Sequence, residues 1–269
     1  MDFLCMLSSG SSGNSAYLRV GETALLLDAG ISCRRILSAL RSLGERPETL
    51  RGILVTHEHI DHIRGLFTLT KQLRLPVYAP PAVADYLIDS DAVYDPWLVK
   101  PLEGPFSLGE LGVVPFPVSH DSLDCSGYRI SLPSGASLGY ATDLGGVPPR
   151  VLESLLGCET VVLESNYDEA MLDAGPYPYS LKRRIKSQSG HLSNEDCSDT
   201  LVKLAASGSR QFVLAHLSKE NNLPDLARSF AQATLLMNGV PEDSYRLQVA
   251  ARDIPSSPLP LEPVKEGAL

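Results

Sequence analysis

The segment LVTHEHIDHIRG, residues 54–65, places three histidines and an aspartate within six positions at the end of an apolar run. Imidazole and carboxylate are ligands that suit zinc, and also manganese or iron. In an extended strand alternate side chains share one side, so His57 and His59 point the same way, while Asp61 and His62 can reach a second point. This arrangement favours a site for two neighbouring divalent cations over a solvated histidine-rich turn.

Two cations need more ligands than this segment offers, and further candidates stand where later β-like runs end. They are His120, Asp143 and His216. Any one of them alone would more often be structural. The recurrence of a β-run followed by histidine or aspartate is what indicates a shared site. Asp143 lies in GYATDLGG, whose glycines permit close backbone approach.

Together these residues resemble the motif set of the metallo-β-lactamase-fold superfamily of binuclear hydrolases, across residues 1 to about 250. The resemblance implies an α/β fold, the αββα four-layer sandwich, with two divalent metal ions at one edge between its sheets. It assigns His57, His59 and His120 to one ion, Asp61, His62 and His216 to the other, and Asp143 to a bridging position. A lactamase of the cysteine-ligand type has a cysteine in place of one histidine ligand, whereas the ligands assigned in this chain include no cysteine.

Shorter motifs resemble the WalJ/YycJ family within that superfamily. They are SSGSSGNSAYL, LLLDAGIS, VLESNYD, SGHLSN and LAHLSKENN. The resemblance implies a nuclease, with 5′-to-3′ exonuclease action on DNA as the family expectation and DNA favoured over RNA as the partner. The ligand set is shared with tRNA 3′-processing endonucleases and β-CASP nucleases. Asp143 and His216 are 73 positions apart (216 minus 143), too close for an inserted β-CASP domain, and no flexible substrate arm is evident.

The histidine of SGHLSNEDC, residues 189–197, is the one of six that this ligand assignment leaves over. Ser193 and Asp196 have the S-x-x-D spacing of a capping box, which predicts that a helix begins just after His191. Helix N-termini bind phosphate, and an imidazole not tied to metal can protonate a leaving group. We predict that His191 assists the leaving alkoxide and that Asp61 accepts a proton from the nucleophilic water. The resemblance to the tRNA-processing enzymes agrees, and a packed histidine near a helix end is the alternative.

Candidate substrate-binding residues begin with a basic cluster in LKRRIKSQSG, residues 181–190, which contains no acid. The cluster comprises Lys182, Arg183, Arg184 and Lys186. It predicts salt-dependent contacts with phosphates, and complementing a helix C-terminal dipole is an equally good explanation.

Other candidates lie near the metal motifs. Family position adds Ser12 and Asn14 of the GSSGNS turn, and Lys219 stands three residues after His216. Glu164 ends a β-run and is predicted to orient His191 or a ligand by a hydrogen bond. Arg34 and Arg35 are weaker candidates for the same groove.

Alternating β-runs and helical segments predict a layered α/β protein. Strands are predicted at residues 16–20, 24–28, 52–56, 77–79, 113–118, 128–132, 137–141, 160–164, 212–215 and 246–250. Helices are predicted at residues 32–43, 63–73, 81–90, 148–156, 194–206 and 224–237. Residues 1–254 are predicted to form the metallo-β-lactamase domain, and the proline-rich residues 255–269 a disordered tail.

Composition limits the class of protein. A net charge of −9 opposes loose binding to nucleic acid, although carboxylates that bind metal contribute to that count. The five scattered cysteines predict reduced thiols and a cytoplasmic location. An apolar run of eighteen residues and a signal-peptide pattern are both missing, so no membrane partner is predicted. Nothing in the sequence indicates the oligomeric state.

Three alternatives to a nuclease stay open. Thioester or lactone hydrolysis can use the same metal centre, but a thiolate or acyl leaving group needs neither the basic cluster nor His191. A cyclic-phosphate phosphodiesterase would have a closed small pocket. A non-catalytic module would be expected to have lost ligands, and all seven are present.

Overall fold

The structure is a computed structural model that describes residues 1–261. Its strands are β1 Phe3–Ser8, β2 Ser15–Val20, β3 Thr23–Leu27, β4 Leu50–Leu54, β5 Val77–Ala79, β6 Val99–Pro101, β7 Phe106–Leu108, β8 Leu111–Pro117, β9 Ser126–Ser131, β10 Ser137–Ala141, β11 Thr160–Glu164, β12 Gln211–Ala215, β13 Arg246–Val249 and β14 Leu259–Pro260. Its helices are α1 Cys33–Ser42, α2 Ile60–Ile63, α3 Leu66–Leu73, α4 Pro81–Asp89, α5 Pro149–Leu155, α6 Glu169–Ala174, α7 Tyr179–Ile185, α8 Asn194–Ala206 and α9 Pro224–Met237.

The chain divides into two compact units. The first comprises residues 1–115, 122–126 and 251–261, and the second comprises residues 116–121 and 127–250. Within residues 1–261 the strands form two mixed sheets of seven, in the orders β14-β1-β2-β3-β4-β5-β6 and β13-β12-β11-β10-β9-β8-β7.

The first sheet changes from antiparallel to parallel pairing at β3. β1, β2 and β3 pair antiparallel, whereas β3, β4, β5 and β6 pair parallel. Parallel strands are usually covered on both faces. Leu26 and Ile53, which stand opposite each other in register, are both fully buried. Because β3 and β4 run in the same direction, the residues that follow them meet at one edge of the sheet.

The second sheet has the same design. β10, β11, β12 and β13 pair parallel, and β9 joins β10 antiparallel. In register, Leu163 stands opposite both Ala141 and Leu214, near the carboxyl ends of three neighbouring strands. The residues at those ends are therefore held side by side.

The strands predicted from the sequence are all present, with bounds that differ by no more than two residues. The prediction that Ser193 caps a helix is confirmed, because Ser193 is the N-cap of α8 and its hydroxyl accepts a hydrogen bond from the Asp196 N–H at 3.0 Å. The predicted helix at 63–73 is divided, with α2 preceding α3. Two short helices, α6 and α7, were not predicted. Within residues 1–261, no helix is long and apolar enough to cross a membrane.

The prediction of a disordered tail from Pro255 is wrong for residues 255–261, which include strand β14. β14 pairs antiparallel with β1, and Leu259 stands opposite Leu4. The Ser256 N–H donates to the carbonyl of Met6 at 2.8 Å, and the Cys5 thiol donates to the carbonyl of Ser256 at 3.2 Å. A proline is tolerated on an edge strand, because its missing N–H faces away from the ladder. Residues 262–269 of the predicted tail lie outside the described residues.

Candidate metal centre

The first unit gathers the four predicted ligands of the HEHIDH segment. His57 and His62 are fully buried, with ring centroids 4.0 Å apart, and the His59 ring lies 4.6 Å from that of His57. Asp61 lies in the first turn of α2, next to His62. The segment turns directly from β4 into α2, which keeps its ligand-type side chains together.

A buried aspartate that sequence reasoning missed orients these histidines. Asp28 follows β3, and its Oδ2 accepts a hydrogen bond from Nδ1 of His62 at 2.8 Å. The Thr56 hydroxyl lies 3.0 Å from Asp28 Oδ2 and 3.0 Å from Nδ1 of His57, so it donates to the carboxylate and accepts from the imidazole. With Nδ1 held in both rings, Nε2 is the nitrogen presented to a metal ion. The only sequence signal for Asp28 was its place in LLLDAGIS, after an apolar run.

The GSSGNS turn reaches this cluster through Asn14. Its Nδ2 lies 3.3 Å from Oδ2 of Asp61 and 3.0 Å from Nε2 of His62, and its Oδ1 accepts from the Gly10 N–H. Gly30 permits this approach, because a Cβ there would lie 1.6 Å from the carbonyl oxygen of Asp61. Ser12 is exposed, and its carbonyl accepts from Arg64 at 3.1 Å. Asn14 thus lies against two predicted ligands, and Ser12 stands further out.

In the second unit, three parallel strands end in acidic or imidazole side chains. Asp143 follows β10 closely, Glu164 is the last residue of β11, and His216 follows β12. Asp143 and His216 have left-handed backbone angles, with φ of 58° and 56°. Such angles cost a non-glycine residue about 1–3 kcal/mol and cluster at functional sites. Nδ1 of His216 lies 3.4 Å from Oδ1 of Asp143.

Glu164 is the organising carboxylate of the second unit. It is fully buried, and its Oε1 lies 2.8 Å from Nδ1 of His191 and 2.7 Å from Nδ1 of His216. Its Oε2 accepts from the backbone N–H of Leu144 at 2.9 Å and of Leu192 at 3.3 Å. Burial would raise the pKa of Glu164, but the two histidines outweigh burial and hold that pKa below its usual value. Glu164 therefore contacts both His191 and His216, and its orienting role stays a prediction.

A third histidine approaches this carboxylate cluster. His120 donates from Nδ1 to the carbonyl of Gly190 at 3.1 Å, and its Nε2 lies 3.3 Å from Oδ1 of Asp121. Burial lowers the pKa of His120, so the neutral, metal-binding form is favoured. The His191 ring lies 5.2 Å from that of His120 and 5.3 Å from that of His216.

His191 differs from the predicted ligands in exposure and in charge. Its side chain is 24% exposed, whereas those of His120 and His216 are 2% exposed. Burial would lower the pKa of His191, but the charge and hydrogen bond of Glu164 outweigh burial and hold the pKa above its usual value. Ligand-type atoms of Asp143, Glu164, His191 and His216 lie within 4.8 Å of one another, so a role as a ligand is also compatible with this position.

The predicted basic cluster lies on and just after α7, and acidic side chains already contact two of its four members. Lys186 pairs with Asp173 at 2.8 Å, and Arg184 pairs with Asp121 through two nitrogens. Lys182 donates to the backbone carbonyl of Asp173 at 2.7 Å. Residues 181–190 contain no acid, because the acidic partners Asp121 and Asp173 lie elsewhere in the chain.

The other predicted cations lie at the surface. The Arg183 guanidinium lies 6.0 Å from the ring centre of Tyr179. Lys219 and Arg34 are exposed, and Arg35 donates to the backbone carbonyl of Asp253 at 3.0 Å. Phosphate binding by these residues stays a prediction.

Buried amides join the three motifs of the second unit. Asn166 donates to Oε1 of Glu164 at 3.2 Å and to the backbone carbonyl of His216 at 2.8 Å. Asn222 bridges the carbonyl of Ser165 at 2.9 Å and the side chain of Asn194 at 2.8 Å. Polar residues of the segments LESNYD, SGHLSN and LSKENN thus form one hydrogen-bond network next to the histidines.

The donor set fits divalent metal ions. Three carboxylates, those of Asp28, Asp143 and Glu164, are at least 98% buried, and burying such charges is costly unless positive charge compensates them. The histidines His57, His62, His120 and His216 all have Nδ1 within hydrogen-bonding or ion-pair distance of oxygen acceptors in their own unit. Neutral imidazoles oriented in this way beside carboxylates are the usual surroundings of zinc and similar ions.

Comparisons with known proteins agree with this chemistry. Residues 23–217 match the β-lactamase superfamily domain. The exodeoxyribonuclease WalJ of Streptococcus pneumoniae serotype 2 is 35% identical over 230 residues, which cover 82% of this chain and 84% of that protein. The chain belongs to the WalJ/YycJ family of this superfamily. The exodeoxyribonuclease YycJ of Bacillus anthracis is 36% identical over 242 residues, covering 87% of this chain and 89% of that one.

A solved structure shows the same fold. YhfI from Bacillus subtilis, a metallo-β-lactamase fold protein, is 16% identical, with a TM-score of 0.71, and the match covers 95% of this chain and 99% of YhfI. The predictions of the metallo-β-lactamase fold, of the WalJ/YycJ family and of a metal-dependent hydrolase are confirmed. Seven predicted ligands are divided between two local clusters, four in the first unit and three in the second.

Proposed function

We propose that this WalJ/YycJ family member is a nuclease that degrades DNA from the 5′ end. The observation that supports a phosphodiesterase is the partly exposed His191, whose Nδ1 lies 2.8 Å from the carboxylate of Glu164. Hydrolysis of a phosphodiester expels an alkoxide, and a fixed imidazolium is a suitable proton donor for it. The names of the relatives from S. pneumoniae and B. anthracis support DNA as the substrate class and exonuclease action.

The predicted ligand set would hold two divalent ions, zinc being favoured and manganese or iron also suitable. It comprises His57, His59, Asp61, His62, His120, Asp143 and His216. When bound, a pair of such ions supplies a hydroxide nucleophile and neutralises charge on the phosphoryl oxygens.

The protein's own groups handle the protons in this proposal. Asp61 accepts the proton of the attacking water. Nε2 of His191 donates a proton to the departing alkoxide oxygen, while Glu164 stabilises the imidazolium through Nδ1. Asn14 and Ser12 are assigned to the mouth of the site. A cytoplasmic location and the native metal stay predictions.

The role of His191 is tested with His191→Ala and His191→Asn, because asparagine can keep a hydrogen bond to Glu164 but cannot transfer a proton. Both variants should retain metal content and lose about 10²–10⁴-fold in DNA hydrolysis. With a nucleotide ester that releases 4-nitrophenolate, which needs no proton, the loss should be much smaller. Loss of metal in step with activity would make His191 a ligand, and an unchanged rate on DNA would remove it from the mechanism.

Polarity and substrate class need a second experiment. The metal-analysed protein is incubated with single- and double-stranded DNA and RNA labelled at either end. A 5′-to-3′ exonuclease releases a 5′ label at once as a short product and shortens a 3′-labelled strand into a ladder. Internal fragments at early times would indicate an endonuclease, and intact DNA beside hydrolysis of cyclic phosphates, thioesters or lactones would reject the proposal.

A further inference from the structure

An exposed face runs along the helical stretch that begins inside the metal motif. The backbone stays right-handed helical between α2 and α3, since Arg64 has φ −47° and ψ −35°, and Gly65 has φ −89° and ψ −12°. The α2–α3 face consists of Ile60, Arg64, Phe67, Lys71 and Arg74. Their spacing of four, three, four and three positions places them on one side of a helix. Leu66 and Leu69, on the other side, are fully buried.

The composition of this face is unusual for a solvated helix surface. The exposed positions from 60 to 74 include three cations and no acid. Two large apolar side chains are interleaved with them, because Ile60 is 61% exposed and Phe67 is 43% exposed. At about 1.5 Å per residue the face is about 20 Å long, the length of about six stacked nucleotides.

Tyr94 adds a second aromatic ring to the α2–α3 face. Its ring lies 5.9 Å from that of Phe67, 4.5 Å from the guanidinium of Arg74 and 5.6 Å from Nζ of Lys71. The backbone N–H of Tyr94 donates to the buried hydroxyl of Thr70 at 3.0 Å, which fixes the ring over α3. Tyr94 is itself 40% exposed.

The only tryptophan of the chain stands close by in sequence and is 85% exposed. The backbone N–H of Trp97 donates to the carboxylate of Asp95, which in turn pairs with Arg74 at 3.5 Å. Arg74 is therefore partly neutralised, and Arg64 donates to the carbonyl of Ser12. Lys71 lies over the ring of Tyr94, and a ring contact does not neutralise an ammonium group. Of the three cations, Lys71 therefore has the most charge available to a ligand.

We propose that the α2–α3 face, with Tyr94 and Trp97, binds a single-stranded segment of the nucleic acid substrate. Aromatic rings stack on unpaired bases without regard to sequence, and interleaved cations contact the phosphates. The face begins at Ile60, beside the ligand-type residues His59 and Asp61, so a strand along it would lead to the first half of the metal centre. This inference rests on the proposed nuclease function.

Trp97 provides a direct measurement of binding. Titration of the metal-loaded chain with an oligothymidylate that has phosphorothioate linkages, which resist cleavage, should quench its fluorescence. Lys71→Glu should weaken binding about tenfold or more and reduce the magnitude of the salt slope by about 1. Phe67→Ala and Tyr94→Ala should each weaken binding about fivefold or more, with little change in the salt slope.

Lys203→Glu is the matched control. Lys203 and Lys71 are both exposed lysines in the last turn of an α-helix, so reversal changes net charge and helix-dipole interactions equally. The control should bind like the wild type. Circular dichroism and thermal melting of each variant check that the fold is retained.

The outcomes separate this inference from the proposed function. Equal binding by Lys71→Glu, Lys203→Glu and wild type would overturn the inference, whatever the nuclease activity. The inference would also be overturned if the oligonucleotide did not quench the Trp97 fluorescence of the wild-type chain, or if the quenching came from self-association of the chain alone. Hydrolysis of bis(4-nitrophenyl) phosphate and of DNA by the wild type tests the proposed function alone. Binding that depends on Lys71 without DNA hydrolysis would keep the strand site and reject the nuclease.

Discussion

His191 and His216 are joined through one oxygen atom, because both Nδ1 nitrogens lie within 2.8 Å of Oε1 of Glu164. One of these histidines is a predicted metal ligand and the other a predicted proton donor. A single carboxylate therefore contacts two groups with different predicted tasks. Changes at Glu164 should affect metal binding and catalysis together.

Glu164→Gln tests this shared role. The amide keeps the size of the side chain but cannot accept from both imidazoles with a full negative charge. We expect a loss of about 10–100-fold in metal affinity, and a larger loss in DNA hydrolysis. Glu159→Gln, directly before the start of β11, is the matched control and should retain both. A double variant with His191→Ala should lose much less than the product of the single effects. Independent effects would contradict the coupling.

Asp28 is expected to support both metal binding and folding. Asp28→Ala leaves the imidazole of His62 and the backbone N–H of Thr56 without their carboxylate partner, and alanine is strained at the φ of 61° found here. We expect the free energy of unfolding to fall by about 3 kcal/mol. Asp28→Asn tolerates this backbone and should lose about 1 kcal/mol or less while weakening metal affinity about 10–100-fold. Denaturation and metal titration measure the two effects, and equal stability of both variants would contradict this reasoning.

The buried cysteines should react slowly in the native chain. Burial raises the pKa of Cys5 to about 11 and also raises those of Cys33 and Cys158. At pH 8 the thiolate fraction of Cys5 is then about 100-fold below that of an unfolded thiol, since the ordinary pKa is 9.0. Because the folded pKa is the higher one, this group's contribution to stability is complete below pH 9 and is lost as pH rises towards 11. A disulfide reagent in buffer and in urea measures the difference, and fast native labelling of Cys5 would contradict it.

Truncation tests the C-terminal strand. Removing residues from Pro255 onward deletes β14, its pairing with Leu4 and the hydrogen bond from Ser256 to Met6. At about 1 kcal/mol per hydrogen bond, we expect the free energy of unfolding to fall by about 2–4 kcal/mol and Tm by about 5–10 °C. Truncation after Leu261 keeps β14 and is the control. Equal melting of the two truncated chains would restore the prediction of a disordered tail.

The predicted ligands could be recognised in the sequence because each local cluster follows from short-range rules. Four of them lie in one segment, and two others, Asp143 and His216, follow strands whose parallel pairing with β11 aligns their ends. His120 follows β8, which pairs antiparallel with β7. Ser193 as the cap of α8 was likewise a local signal. Strand bounds were accurate for the same reason, since apolar runs of buried strands are continuous.

What could not be predicted depends on partners distant along the chain. Asp28 is 34 positions from His62, so its role becomes visible only when β3 and β4 are paired. The acid that pairs with Arg184 is Asp121, 63 positions away, and its charge is absent from the basic segment. β14 pairs with β1, which lies almost a whole chain length away in sequence, and a proline-rich segment gives no periodic signal for such pairing.

The pairing of β14 with β1 also has a consequence for synthesis of the chain. The first unit is discontinuous, and its closing segment, residues 251–261, leaves the ribosome after the second unit has been made. Until then the outer edge of β1 has unpaired backbone groups, which attract other chains. Translation that stalls or terminates early should therefore yield nascent chains that are prone to aggregate, and a tag or fusion attached near Leu259 should lower the soluble yield far more than one attached at Met1.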